Sequence, residues 1–523
     1  MEALKELVYL VSKNKIKSIK ILGSEPPEDS KVASFYEHLI GDDFSSDEEA
    51  ADYFYPSKEK SGKSSYRNLK SRLKTRLINT LFFLDAKQPS YSDRQKAYYN
   101  CYKEWAAAKI LLGRNARAAC IELSHKILTH AERYEFTELC LDIYRTLRLH
   151  YGAREGDLKL FEFYKEKYNA AELLDRAENK AEELYTDLIS RFVNDKSSKE
   201  ISDQEATPIL QQVDVLEDQF DSYKVCLYGS LIKLVIYSSK NDYHNTLRVC
   251  KNSIRVFESK EYTAKTPLQI FYYQELVCYT HLRAFAKGKA AAERCLKFLD
   301  EGTFNWFKYY ELYFTLSMYT KQYQDAYQIF DVVINHKRFD FLPDNIKEMW
   351  NIYRAYLHYL VDLDKVRLKP DDNRFSKFRL GRFLNETPIF SKDKRGMNIS
   401  ILIIQTLFQI LQKNYSAAID SIEAIEKYRY RYLNKKETLR SYYFIKMLLT
   451  VPMASFHKAA VIRKATPHLK KLKRSSVDLS DRTHDVEIIP FEDLWELALH
   501  SLENTFYRKR KKSKKRSSSR VLN

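Results

Sequence analysis

The segment that decides the fold runs from Tyr309 to Phe330 and reads YYELYFTLSMYTKQYQDAYQIF. Apolar and aromatic residues recur in it at helical spacing on both sides of a short polar break at Lys321 and Gln322. Ala326 follows the break and is small enough to let a second helix cross the first closely. The segment therefore predicts a helical hairpin, in which two antiparallel helices are joined by a short turn.

The same order of helix, polar break with a Lys, and helix recurs along the chain. It appears at Lys240–Tyr243, at Phe285–Gly288 and at Lys413–Tyr415, where Ala418 follows. The breaks near positions 243, 287 and 323 lie roughly 36 to 44 residues apart, which is the spacing of helix-pair repeats. Stacked pairs of this kind bury a continuous core and leave one face free for binding.

The composition agrees with a helical fold. The chain has 11 Gly and 12 Pro in 523 residues, which is too few for turn-rich β-sandwiches or barrels. Its 39 Tyr either fill half-buried seams between helices or stack on bases, and composition leaves both interpretations open. One core rarely exceeds about 250–300 residues, so we expect several domains or an elongated array.

Capping and breaking residues outline a small amino-terminal helical unit. A helix is predicted from Ser30 to about Ile40, and Ser46 with Glu49 predicts a capping box at the start of the next helix. A polar loop is predicted over residues 58–63, followed by a third helix from about Ser64 to Phe83. This order is the outline of a helix-turn-helix unit.

The whole chain is predicted to be all-α. We expect a helical-hairpin (tetratricopeptide-like) array with a small N-terminal three-helix unit and a disordered basic C-terminal tail. Residues 158–194 are predicted to form one or two long helices, and residues 195–200 a polar linker. The predicted segments are an N-terminal helical domain (1–90), a first helical array (91–195), a tetratricopeptide-like array (201–363), a C-terminal helical region (364–505) and a basic tail (506–523).

The third amino-terminal helix carries an apolar stripe formed by Tyr66, Leu69, Leu73, Leu77 and Leu81. Cations flank the stripe on both sides, where they either contact DNA in a groove or form a solvated face. Both interpretations stay open at this stage. The candidate nucleic-acid contacts are Arg67, Lys70, Arg72, Lys74 and Arg76.

The net charge is +18, and half of that excess lies in the carboxy-terminal tail. A cationic run attracts phosphates through counterion release, although such runs also serve only to keep a protein soluble. For the tail, phosphate binding and a purely solubilising role both stay open. The candidate residues in the tail are Arg508, Lys509, Arg510, Lys511, Lys512, Lys514, Lys515 and Arg516.

Sequence motifs for common chemistry are absent. The chain contains no GxxxxGK[ST] loop, no GxGxxG turn and no HExxH helix, and its seven cysteines are dispersed without a CxxC pair. His125 and His130 are five residues apart, which does not suit shared ligation on one helix. We expect no catalytic residues, no cofactor and no metal, and we expect a non-enzymatic protein of the cytoplasm, without signal peptide or transmembrane helix.

Two local resemblances add to this interpretation. Tyr323 with Ala326, and Tyr415 with Ala418, resemble the aromatic and small positions of tetratricopeptide repeats, although the Trp and Gly of that family's first helix are missing. This resemblance implies a stacked array that binds a protein partner.

The stretch from Phe44 to Leu81 resembles the DNA-binding domain of bacterial regulators of the transcriptional activator-domain class. An acidic helix is followed by the aromatic stop Tyr53–Pro56 and then by a basic helix with Arg67 and Arg72. In that class a β-wing follows the basic helix, whereas here the sequence leads into another helix. The resemblance implies groove binding by the third helix.

The function expected from the sequence is that of a non-enzymatic helical-repeat scaffold or adaptor that binds a protein partner. The alternative is a DNA-binding transcriptional regulator that uses residues 30–84 and has the array as a sensor or oligomerisation domain. The partner's identity and the oligomeric state are not encoded in any motif of the chain.

Overall fold

The structure is a computed structural model of the full chain. It describes residues 2, 4–5, 7–8, 31–56, 60–82, 91–194, 201–370, 372–375, 381, 383, 397–432, 439–475 and 487–507. Only the backbone is described at residues 60–62, 192–194, 397–398 and 431–432. Every regular element in these ranges is helical, without a strand, so the all-α prediction is confirmed.

The chain divides into two compact units, which are described separately. The first unit comprises residues 1–179 and 260–264, and the second comprises residues 180–259 and 265–523. The helices of the first unit are α1 (Lys31–Ile40), α2 (Asp47–Phe54), α3 (Lys60–Leu81), α4 (Asp93–Gly113), α5 (Arg117–Arg133), α6 (Thr137–His150) and the start of α7 (Leu158–Asn194). The stretch predicted as one or two long helices is thus one helix.

Thirteen α-helices whose bounds lie within the described residues follow in the second unit. These are α8 (Asp203–Gln219), α9 (Tyr223–Ser239), α10 (Tyr243–Glu258), α11 (Lys265–His281), α12 (Phe285–Leu296), α13 (Phe304–Tyr319), α14 (Tyr323–Ile334), α15 (Asp344–Asp362), α16 (Met397–Leu411), α17 (Tyr415–Tyr432), α18 (Leu439–Met453), α19 (Lys458–Arg474) and α20 (Phe491–His500). Consecutive helices from α8 to α19 pack against one another, as stacked hairpins require. The predicted linker at 195–200 and the tail residues 508–516 lie outside the described residues.

The turns inside the helix pairs share one backbone geometry. The second residue after the first helix of a pair is left-handed at Asn241, Arg283, Lys321 and Lys413, with φ between 51° and 60°. The next residue donates its N–H to a carbonyl five residues earlier; the Gln322 N–H to the Ser317 oxygen, for example, spans 2.9 Å. This is a Schellman ending, here built without glycine, and it recurs roughly 40 residues apart in the second unit.

The predicted break at Phe285–Gly288 is wrong by a few residues, because the turn is centred on Arg283 and α12 begins at Phe285. Gly288 is instead a point of close packing. A Cβ added there would lie 2.5 Å from Cδ2 of Leu316 in α13. The glycine that suggested a turn therefore lets α12 and α13 approach each other.

The small residues of the predicted hairpins occupy the positions expected for them. Ala326 in α14 and Ala418 in α17 are fully buried, and α14 packs on α13 as α17 packs on α16. Both residues belong to one continuous core of the second unit that extends from Trp306 to Leu502. A larger side chain at either position would push two helices apart.

The last helix, α20, packs on α16, α18 and α19 through an apolar face. Phe491, Leu494 and Trp495 on this face are almost completely buried. Acidic residues at the edge of the same segment pair with the left-handed turn residues of three hairpins. These pairs are Arg283 with Glu492, Lys321 with Asp493, and Lys413 with Glu503.

The N-terminal three helices form their own core, in which Phe35 contacts the rings of Phe54 and Tyr66. The predicted third helix begins four residues earlier than expected, at Lys60, and ends at Leu81. The loop predicted over residues 58–63 is therefore wrong in part. Extending a helix backwards through Gly62 costs only about 1 kcal/mol once later turns are held by the core.

The capping box predicted at Ser46 is present only in half. The Ser46 side chain accepts a hydrogen bond from the Glu49 N–H, at 3.2 Å. The Glu49 carboxylate reaches Ser45 instead, accepting from its N–H and its hydroxyl at 2.8 Å each. In a capping box one residue makes both contacts; here Ser46 accepts from the Glu49 N–H, and Ser45 donates to the Glu49 carboxylate.

Candidate nucleic-acid interface

Helix α3 presents one apolar face to the core of the first unit and one polar face to solvent. Tyr66, Leu69, Leu73 and Leu77 recur every three or four residues and are buried. Between residues 60 and 82 the sequence contains seven Lys or Arg and no acidic residue. All formal charges that the described part of this helix itself contributes are therefore positive.

The five predicted contact residues of α3 do not share one environment. Arg67, Arg72 and Lys74 are exposed, whereas Lys70 and Arg76 are half-buried. The exposed cations lie on two flanks of the helix, with the outermost face between them. The span from Arg67 to Arg76 is about 14 Å along the helix axis, comparable to the width of a DNA major groove.

Lys70 is engaged inside the unit. Its Nζ lies 2.7 Å from Oδ1 and 2.8 Å from Oδ2 of Asp47, the first residue of α2, and the Tyr66 hydroxyl donates to the same carboxylate at 2.7 Å. Partial burial raises the pKa of Asp47, but the hydrogen bonds from Lys70 and Tyr66 outweigh it and hold that pKa at about 2. Lys70 therefore joins α2 to α3 and is a positioning residue for the face.

The other four cations have no ion-pair partner in the described part of the chain. Arg67, Arg72, Lys74 and Arg76 lie on the same small unit, in which Asp42 pairs with Lys5 and Asp47 with Lys70. In the neighbouring helices of the first unit the pattern is different, because Lys109 pairs with Asp142 and Lys126 with Glu104. The charge on α3 is thus available to an external anion.

Together with Ile78, which is 41% exposed, short polar side chains occupy the outermost face between the two cationic flanks. Such residues donate to and accept from phosphates and base edges, and they leave room for close approach. The exposed members are Ser64, Asn68, Ser71, Thr75 and Asn79. This set was missed by the sequence interpretation, although its spacing of three to four residues is the signal that could have found it.

Two further predictions about nucleic-acid contacts fall outside what the structure describes. The eight tail cations from Arg508 to Arg516 are not among the described residues, and neither is the stretch 83–90 that follows α3. The described residues contain no strand after α3, and α4 begins at Asp93. The prediction that a helix takes the place of a β-wing is consistent with this order of elements.

The residues considered for metal or catalytic chemistry are dispersed. His125 lies 2.9 Å from the Tyr151 hydroxyl, whereas His130 is exposed on the same helix. Nowhere in the described ranges do three or more His, Cys, Asp or Glu side chains gather as a metal site would require. The seven cysteines, all within the described residues, form no disulfide with one another, and six of them are buried.

No helix within the described residues combines the length and the apolar character needed to cross a lipid bilayer. No protein-family model, curated protein or solved structure matches the chain. The two resemblances noted in the sequence therefore stay predictions.

Proposed function

We propose that this protein is a non-enzymatic DNA-binding adaptor whose N-terminal unit, α1 to α3, binds duplex DNA. The observation that carries the proposal is the polar face of α3, where Arg67, Arg72, Lys74 and Arg76 have no carboxylate partner among the described residues. The helix pairs that follow would connect this unit to a protein partner, as stacked hairpins commonly do.

The chemistry of the face fits the phosphate backbone. Guanidinium and ammonium groups displace condensed counterions from DNA, and this release makes binding strongly dependent on salt. The serine, threonine and asparagine side chains between the cations would set the register of the helix against phosphates and base edges. Asp47 and Lys70 fix α2 against α3, so the face is already formed before any ligand binds.

The proposal is tested by binding of the full chain to a labelled 25-base-pair duplex in a series of NaCl concentrations. The variant R67Q/R72Q/K74Q removes three cations whose side chains form no ion pair or hydrogen bond with the described residues. If each contacts a phosphate, the slope of log K against log salt becomes less steep by about 3. The matched control K103Q/R114Q/K159Q neutralises three other exposed cations of the first unit.

An unchanged affinity and salt slope in the α3 variant would overturn the proposal. An equal loss in the control variant would also overturn it, because the effect would then come from net charge rather than from this face. Circular dichroism of each variant checks that the helices are retained.

A second candidate function is that of a scaffold that binds an acidic amphipathic helix, and α20 supplies the observation. This helix buries its apolar face on α16, α18 and α19, while Asp493 and Glu496 each lie 3.0 Å from Nζ of Lys321. A surface that holds one such helix within the chain has the chemistry to hold a similar helix from a partner.

The scaffold proposal is tested with a labelled peptide of residues 487–507. The full chain carrying D493K and E496K weakens its own α20 contact, so we expect it to bind the added peptide. Adding K321E to that chain should reduce the peptide affinity, because the turn cation is reversed. No binding of the peptide to the first variant would contradict the scaffold proposal.

A further inference from the structure

A second cationic helix lies in the second unit, far along the sequence from α3. Helix α19, Lys458–Arg474, contains seven Lys or Arg and no acidic residue. Its buried residues Val461, Ala465 and Leu472 hold it on the core of that unit. Ile462, 43% exposed, and Pro467 are the apolar residues that reach the outward face, and the other exposed long side chains of the helix are cations.

The outward cations of α19 make no ion pair with any described carboxylate. Within the described residues, Lys464 Nζ donates to the Met453 carbonyl oxygen at 2.9 Å. Burial, and then the nearby Lys446 and Lys471, lower the pKa of His468 on this helix, and Lys446 itself lies 3.7 Å from the Glu426 carboxylate. The exposed cations are Arg463, Lys464, Lys470, Lys471, Lys473 and Arg474.

Exposed aromatic rings stand at both ends of this helix. At the amino-terminal end Phe506 is 65% exposed and stacks on His457, the N-cap residue of α19, with ring centroids 4.2 Å apart. Near the carboxy-terminal end Tyr430 is 74% exposed, and the Arg429 guanidinium lies over its ring and over that of Tyr442.

The Tyr430 ring is tied to the end of α19 through α18. Tyr442 is followed by Tyr443, whose ring lies 6.0 Å from Lys471 Nζ. Arg440 of the same helix donates to the carbonyl oxygens of Leu472 and Ser475 at 3.2 and 3.0 Å. The start of α18 therefore contacts the last turns of α19 through Arg440 and Tyr443, and it contacts the segment that carries Tyr430 through Tyr442 and Arg429.

We propose that the outward face of α19, with Phe506 and Tyr430, is a binding site for single-stranded nucleic acid. Cations in a row attract successive phosphates, and exposed rings at both ends offer faces on which unpaired bases can stack. A duplex keeps its bases stacked inside and would leave both rings unused. An anionic membrane is less well matched, because an interfacial helix buries an apolar face in lipid and α19 uses its apolar face in the core.

The test uses the full chain and a labelled 15-nucleotide oligouridine, with oligothymidine of the same length as a second probe. The variant R463Q/K470Q/R474Q should lose roughly tenfold or more in affinity, and its salt slope should become less steep by about 2. The control K287Q/K297Q/K337Q neutralises three exposed lysines elsewhere in the second unit and should bind as the unchanged chain does.

Stacking is tested separately from charge. F506A and Y430A should each weaken binding about fivefold or more, and neither should change binding of an abasic strand of equal length. Equal affinities of all variants for oligouridine would overturn the proposal. Binding only to duplex DNA, or α19-dependent binding only to phosphatidylserine vesicles, would overturn it as well.

This inference is independent of the function proposed for α3. The α3 variant R67Q/R72Q/K74Q should keep its affinity for oligouridine, and the α19 variant should keep its affinity for the duplex. Loss of one activity with retention of the other tells which of the two proposals has failed.

Discussion

Lys321 occupies the left-handed turn between α13 and α14, and its Nζ lies 3.0 Å from Oδ1 of Asp493 in the last helix. About 170 residues of chain separate these two positions. Arg283 and Lys413 repeat the arrangement at other turns, with Glu492 and Glu503 as partners. The left-handed turns thus have a second role, because they present cations to the carboxy-terminal segment.

The buried ion pair between Arg440 and Glu487 is expected to be the most sensitive contact of that segment. Their side chains are 6% and 4% exposed, and Arg440 also binds Glu492. R440M should reduce the free energy of unfolding by about 3–5 kcal/mol, because Glu487 is left buried without its partner. Urea unfolding followed by tryptophan fluorescence measures this, since Trp306, Trp350 and Trp495 all lie in the second unit.

The double variant R440M/E487M serves as the control for the buried charge. It should be clearly more stable than R440M, because no charge is left unpaired in the core. If the double variant is as unstable as the sum of both single variants, the loss comes from packing and the electrostatic explanation is wrong.

Asp372 should make the second unit sensitive to acid. The hydrogen bonds from Arg374, at 2.7 Å from Nε to Oδ1, outweigh burial and hold the pKa of Asp372 at about 2. Because this pKa is below that of the unfolded chain, its stabilisation is present above about pH 4 and is lost as the pH falls towards 2. D372N should lower the free energy of unfolding by about 2 kcal/mol at neutral pH. The free energy of unfolding of the variant should also decrease less steeply than that of the unchanged chain as the pH falls below about 4.

The comparison for D372N is its unfolding free energy at pH 7 and at pH 3. The difference from the unchanged chain should shrink at the lower pH, because protonation removes the same interaction. A constant difference at both pH values would contradict the assigned role of Arg374. Asp331 also binds Arg374, so part of the acid sensitivity should remain.

Asp364 offers a stabilising substitution. It has φ of 55° after α15, and the next residue, Lys365, completes the Schellman ending with a 2.9 Å bond to Leu360. D364G removes the Cβ from a left-handed position and should raise the free energy of unfolding by up to about 1 kcal/mol. The helical control K287G should lower it by about 1 kcal/mol, and a destabilising D364G would contradict the turn geometry.

Ala326 tests the packing between α13 and α14. The residue is fully buried where these helices cross, so A326L should destabilise the second unit by about 1–3 kcal/mol through overpacking. Gln328 lies two residues further on the exposed side of α14, and Q328L should change stability by less than about 0.5 kcal/mol. Equal effects of the two substitutions in urea unfolding would show that the crossing is not tightly packed.

Lys70 and Arg67 should separate structure from binding in α3. K70Q breaks the pair with Asp47 and should lower the stability of the N-terminal unit by up to about 1 kcal/mol, a value limited by solvent screening. R67Q should leave stability unchanged and weaken duplex binding instead. Amide hydrogen exchange at Leu73 and Leu77 reports the stability of α3, and loss of protection in R67Q would contradict its assignment to the free face.

In the N-terminal unit the buried face of α3 could be predicted from the sequence, whereas the pairing of its cations could not. The stripe from Tyr66 to Leu77 fixed the inner face of α3 correctly, because apolar periodicity is a local property of the chain. It could not tell Lys70 from Arg67, since both flank the stripe in sequence. Only the position of Asp47 on another helix decides that Lys70 turns inward.

The sequence by itself determined that this protein is helical, that hairpins recur along it, and that Ala326 and Ala418 are core residues. Each of these features follows from spacing within one or two helices, where neighbours in sequence are also neighbours in space. The tertiary structure decided which cations are paired, that Gly288 is a packing point, and that the carboxy-terminal segment from Glu492 to Glu503 meets the turns at Arg283, Lys321 and Lys413. These contacts join residues far apart in the chain, and no local pattern encodes which distant carboxylate will reach a given turn.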